Sequence, residues 1–212
     1  MVTASMRPSC ALPLLFGFIS LFLDVVSATS PPSSLATDLS ANMTVRSASP
    51  YGPVFSTSIV YAHSSAGNYV SNTTTFVPGP TATAFYLRLC AKNISYYWQT
   101  GETCTRHVPL PGQCHCESYE SSGKCLRWSP VEFQSNIPTS ATYGGRSKLN
   151  GYVDVDQWEY FYPPFSSTID VWTVNDSFVT RTVGARVQTD YTQVIPHVPP
   201  PGVFVVPGEC MR

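Results

Sequence analysis

Apolar residues recur at every second position along much of this chain, and a period of two puts them on one face of an extended strand. Phe55, Thr57, Ile59, Tyr61 and His63 share one side of such an alternation, with mostly small residues on the other. The same period runs through Phe85, Leu87 and Leu89, through Leu149, Val153 and Val155, and at greatest length through Val179, Val183, Ala185, Val187 and Tyr191. Shorter aromatic or β-branched runs occupy 94–98, 160–162 and 169–174, with Gly, Pro, Asn or Ser between the runs. Helical periodicity is missing beyond the first 28 residues, and only 130–143, which lacks a strand signal, offers a place for a short helix. The pattern predicts a mainly β protein, a meander of antiparallel strands with few short helices.

Three segments are expected along the chain. Residues 11–23 are an apolar run preceded by Arg7, and small residues ending at Ala28 form a signal-peptidase site. The run falls short of the roughly 20 residues that span a bilayer, so residues 1–28 read as a secretory signal and no transmembrane span is expected. Half of residues 29–52 are Ser, Thr or Pro, which predicts a flexible leader unable to repay the entropy of ordering itself. Residues 53–212 then form a single β domain. Its end holds Pro196, Pro199, Pro200, Pro201 and Pro207, which bar a central strand, yet Val203, Val205, Val206 and Cys210 point to a tail strapped to the body.

Charged residues are 12% of the chain and the formal net charge is -1, leaving no basic field to hold nucleic acid. Of the seven cysteines, Cys10 leaves with the signal. Cys90, Cys104, Cys114, Cys116, Cys125 and Cys210 remain, an even number in an oxidising compartment, and predict three disulfides of open connectivity. Zinc is the competing reading, because Cys114, His115 and Cys116 lie near His107. Structural zinc sites space their cysteines more widely, and along a strand His115 points away from both sulfurs. Asn42, Asn72, Asn93 and Asn175 each begin an N-glycosylation sequon. Together these features predict a glycoprotein that is extracellular or resides in the lumen of the secretory pathway.

No phosphate-binding loop, serine elbow or zinc-protease helix is present, and His63, His107, His115 and His197 are scattered. Asp154 and Asp156 share one face of a strand, a spacing open to an acid and base pair, to part of a calcium site, or to an ordinary solvent face behind Val153 and Val155. The aromatics are the stronger signal. Trp98, Trp128, Trp158 and Trp172 join Tyr96, Tyr97, Tyr160, Phe161, Tyr162 and Phe165 in or beside strand runs, either filling a β core or lining an apolar cavity. As cavity lining, the expected set is Phe85, Leu87, Trp98, Trp158, Tyr160 and Trp172, around at least about 300 Å³.

The order of features resembles the ependymin-related and LolA-like secreted glycoproteins. The strand at 55–63, the aromatic strand at 85–89 and the run 94–98 leading to Cys104 are similar to that family. So are Ile137, Pro138 and Ala141 before Gly144, then Gly151, Tyr152, Val153, Asp154 and Trp158, and the ending Phe204, Val205, Val206, Pro207, Cys210. The resemblance implies a strongly curved antiparallel sheet, a half-open barrel around an apolar cavity that accepts lipid-like molecules, and it keeps calcium open as a bound ion. The leading expectation is a non-catalytic protein that binds a hydrophobic small molecule or lipid. The alternatives are a structural or adhesion glycoprotein with a filled core that meets an extracellular protein, and a secreted hydrolase using the carboxylates.

Overall fold

The computed structural model describes residues 30–32, 35–49, 51–76, 81–110, 113–129, 137–162 and 166–211. The expected signal peptide, Phe165 and residues 130–136 lie outside the described residues. The strands in chain order are β1 (Leu39–Ser47), β2 (Val54–His63), β3 (Asn68–Thr75), β4 (Ala82–Leu89), β5 (Ile94–Gln99), β6 (Thr105–His107), β7 (His115–Tyr119), β8 (Cys125–Ser129), β9 (Thr142–Leu149), β10 (Val153–Tyr162), β11 (Ser167–Val174), β12 (Phe178–Gly184) and β13 (Val187–Pro196). Eleven of them form one antiparallel sheet in the order β6-β5-β4-β3-β2-β1-β13-β12-β11-β10-β9, and β7 pairs with β8 as a separate hairpin. The sheet curves without closing. It consists of two meanders, β1 to β6 and β9 to β13, joined where β1 meets β13.

The expected leader is corrected by this seam. Residues 39–47 form a central strand hydrogen-bonded to β2 on one side and β13 on the other. Leu39, Ala41 and Met43 alternate inward while Ser40, Asn42, Thr44 and Arg46 fill the outward positions. Composition over a 24-residue window hid that alternation, since the polar residues are one face of a strand and not a solvated coil.

Two longer alternations also prove to be hairpins. Between Val183 and Val187 the chain reverses through Ala185 and Arg186, both at positive φ (48° and 68°), and between Leu149 and Val153 through Asn150 and Gly151 (52° and 84°). Ala-Arg carries none of the usual signature of a turn that demands left-handed backbone, so the sequence reads straight through it. Residues 137–141 form no helix, and Thr142 and Tyr143 already belong to β9.

The inner face of both meanders packs on itself. Leu39, Val60, Ala62, Tyr69, Trp158, Tyr160, Ile169, Val171, Val179 and Tyr191 form its buried core, so the two arms of the sheet cover each other. The β7–β8 hairpin closes one end. Cys90–Cys114 ties the segment leading into it to the end of β4, and the Trp128 amide donates to the Ser64 carbonyl at 3.0 Å. Gly67 lies against the Trp128 ring and Cys90, where a Cβ would come within 2.8 Å and 2.6 Å of their side-chain atoms, so only glycine fits.

The outer face of β2 to β5 is apolar as well, and the tail covers much of it. Two 3-10 turns, Pro201–Phe204 and Gly208–Met211, lay Val203, Phe204 and Val206 on Tyr61, Val70, Leu87, Leu89, Tyr96 and Trp98. Cys104–Cys210 fastens this strap across a separation of 106 residues, and Cys116–Cys125 staples the β7–β8 hairpin.

Two outcomes follow from this arrangement. A chain beginning at Gly52 fails to fold, read as loss of the far-UV strand signal, because β2 and β13 both lose their shared partner. Cys210→Ser lowers stability by about 2 to 5 kcal/mol but keeps the strand signal, makes Cys104 accessible to alkylation and red-shifts tryptophan emission as Trp98 is uncovered. Complete loss of structure in Cys210→Ser would show that the strap belongs to the folding core itself.

Candidate functional site

The six residues expected to line one cavity are divided among three places. Trp158 and Tyr160 are buried in the inner core, Leu87 is buried and Phe85 and Trp98 half-buried on the outer face of β4 and β5, and Trp172 is half-buried on β11. The structure therefore does not bring them together. At the inner face, Val60 and Val171 have no solvent exposure, and the space beside Ala62, Tyr69, Arg88 and Trp128 is about 10 Å³, scarcely room for one water. Trp158 fills the middle of this core. Its ring lies 5.0 Å from that of Tyr143, and its Nε1–H donates to Thr173 Oγ1 at 3.3 Å.

A larger groove opens on the other side of the sheet. It encloses about 550 Å³, within the range of small-molecule sites, and crosses the β1–β13 seam. Leu149, Tyr152 and Val153 from the β9–β10 hairpin, with Val174 and Phe178 from the β11–β12 hairpin, form an apolar wall. Arg46, Arg181 and Asp190 are its charged lining. Cross-strand register places them together: Asp190 stands opposite Arg181 on one side and Thr44 on the other, one outward position from Arg46.

The Asp190 carboxylate is nearly buried and is met by three side chains, two of them as hydrogen-bond donors. Arg181 Nε donates to Oδ1 at 2.5 Å, Gln188 Nε2 donates to Oδ2 at 2.7 Å, and Arg46 Nε lies 3.3 Å from Oδ2 as an ion pair without hydrogen-bond geometry. Two guanidinium groups thus face one carboxylate, and the cluster keeps one positive charge in excess at the groove. Nothing in the sequence pattern marks these three residues, because Arg46 lies in the stretch that reads as leader and the other two on opposite sides of the unsignalled Ala185–Arg186 turn.

The carboxylates singled out from the sequence both answer to β9. Asp154 is exposed and accepts from Lys148 Nζ at 2.8 Å, which holds its pKa below the ordinary 3.8. Asp156 accepts from the Tyr143 hydroxyl at 2.8 Å and lies 3.6 Å from Arg146. The hydrogen bond to Asp156, ahead of burial, raises the Tyr143 pKa above its ordinary 10.0. Each carboxylate is thus engaged by a cation on β9, Lys148 for Asp154 and Arg146 for Asp156.

The three disulfides occupy all six cysteines and leave no thiolate for zinc at Cys114 or Cys116. Among the described residues no group of three or more His, Cys, Asp or Glu could hold a metal ion. None of their helices is long and apolar enough to cross a membrane. Of the sequon asparagines, Asn72, Asn93 and Asn175 are exposed and Asn42 is half-exposed. Asn93 and Asn175 sit in tight turns at positive φ, whereas Asn42 and Asn72 lie on the outer face of β1 and β3.

No protein-family model matches this chain, and no curated protein matches it.

Trp158→Ala is expected to cost about 3 to 5 kcal/mol of stability in denaturant titration, against less than about 0.5 for Asp154→Ala. A near-equal loss in the two variants would contradict the filled inner core. Because folding raises the Tyr143 pKa, the native state keeps a proton that the unfolded state has released. The stabilisation is fully present below about pH 10 and is lost as pH rises further. Tyr143→Phe should flatten that alkaline decline in a pH series of melting temperatures.

Proposed function

We propose that the protein is a secreted, N-glycosylated, non-catalytic binding protein, and that its ligand is an amphipathic, lipid-like molecule held in the outer groove across the seam. The observation that carries this reading is the pairing of an apolar wall with a cationic excess in one hollow of suitable volume. An alkyl or ring system lies along Val153, Val174 and Phe178, and an anionic head meets Arg46 and Arg181. Guanidinium groups suit a carboxylate or phosphate because their donors form a planar fork. Three disulfides and the absence of an apolar helix long enough to span a membrane, among the described residues, are compatible with an extracellular site of action. The curved, unclosed sheet agrees with what the ependymin-related and LolA-like resemblance implies, although the groove proposed here lies on the face opposite the packed interior.

A second reading has its own support: the tightly filled inner face favours a structural or adhesion glycoprotein that holds no small molecule. Titration with a fluorescent fatty acid separates the two. Saturable quenching of Trp172, which stands directly opposite Arg181, is expected. Phe178→Ala should weaken the affinity about tenfold, since burial of a phenylalanine contributes roughly 1.5 to 3 kcal/mol. Absence of saturation with fatty acids, lysophospholipids and sterol sulfates would leave the structural reading standing.

A further inference from the structure

The outer face of β1 to β5 carries an apolar strip that the tail leaves partly uncovered. Reading across the strands, one row runs Asn42, Ile59, Asn72, Phe85, Trp98, each directly opposite the next. Ile59 is 49% exposed in the middle of the sheet. Phe85 and Trp98 stack face to face with centroids 5.2 Å apart and planes 6° from parallel. Because β3 and β5 flank β4 on opposite sides, the Phe85 face turned away from Trp98 is on the Asn72 side. A shallow depression of about 410 Å³ lies over Thr57 and Ile59, bounded by Asn42 and Asn72.

We infer that this strip is the seat of an N-linked glycan on Asn72, whose first sugar packs its apolar C–H face on Phe85 while the branch shelters Ile59. The occupant follows from register. Directly opposite side chains in an antiparallel pair have Cβ atoms about 4.5 to 5.5 Å apart, so a sugar on the Asn72 amide emerges beside the Phe85 ring. Asn42 flanks the same depression from the other side. Its Nδ2 donates to Gln193 Oε1 at 2.6 Å, a bond that a glycosylated amide retains with its remaining hydrogen. The glycan at Asn72 is therefore a built part of the outer face, unlike one at the Asn175 turn.

The inference rests on the secretory reading, and its test separates the two. The full chain is secreted from a eukaryotic cell that transfers N-linked glycans, and occupancy is mapped by peptide mass. Asn72 is expected to be occupied; its vacancy while Asn93 or Asn175 is filled overturns the inference alone, whereas vacancy of all four sequons overturns the secretory reading too. Enzymatic removal of the glycans from a Ser177→Ala chain, which lacks the Asn175 sequon, should lower the melting temperature by about 2 to 4 °C and red-shift Trp98 emission. In a Phe85→Leu background the same treatment should change the melting temperature by less than about 1 °C. Equal losses in the two backgrounds overturn the packing, and should Phe85→Leu fail to fold, unchanged emission on deglycosylation overturns it instead.

Discussion

The pairing of β1 with β13 is the constraint on which the other features depend. Every other neighbour in the large sheet follows its partner in sequence, so each arm assembles from local hairpins, but the two arms meet only where residues 39–47 find residues 187–196. Bringing those strands together closes the longest loop in the fold, and its entropy must be met before any core contact between the arms is gained. The seam is also irregular. Its register shifts between Ser40 and Asn42, opposite Gln193 at a φ of 50°, and a second shift lies outside the seam, in the β11–β12 pair between Trp172 and Thr173. Such bulges bend the bulged strand and sharpen local twist.

The same geometry accommodates an excess of aromatics on the two faces of one sheet. One sheet face buried against its own other arm accounts for Tyr69, Trp158, Tyr160 and Tyr191. Tyr61, Leu87, Tyr96 and Trp98 belong to the opposite face, which has no second sheet to cover it. A chain with so few charged residues cannot make that face polar, and it turns its own tail back instead, with Phe204 as the wedge and Cys104–Cys210 as the fastening. Prolines that exclude the tail from the sheet suit it to this role, because each lacks the amide a ladder requires, and the Val203 and Cys210 amides donate to the tail's own Pro200 and Pro207 carbonyls.

How much of this was legible in the sequence depended on how well polarity alternated within a short window. β2, β4, β5, β10 and β11 announce themselves because apolar and aromatic residues repeat with a period of two between turn residues. β3 does not, since NYVSNTTT has only Tyr69 and Val70 to show, one on each face. β1 was obscured by its serines and threonines, and the β12–β13 turn by residues that rarely adopt positive φ. The three disulfides were legible as a number from the count of cysteines, but their pairing is a property of where the tail and the hairpin dock. The groove was invisible for a similar reason: its charged lining comes from three strands, one of which reads as disordered and two of which read as one.

The buried charges at the seam make sense in terms of specificity more than strength. Burying Asp190 with two arginines costs desolvation that three well-packed aliphatic side chains would not incur, so the cluster is a poor device for stability alone. Its value lies in what it forbids. Side chains alternate faces with each residue, so a slip of β13 by one position against β1 would turn Asp190 from its outer cluster toward Val60 and Val171 in a core with no partner for it. An uncompensated carboxylate there would cost several kcal/mol, enough to exclude the slipped register, while the β-branched and threonine positions around it would tolerate either face. In a seam between strands so distant in sequence, this penalty adds to the inward alternation of Leu39, Ala41 and Met43. The arginines that enforce it are the same groups that leave the groove with a positive excess.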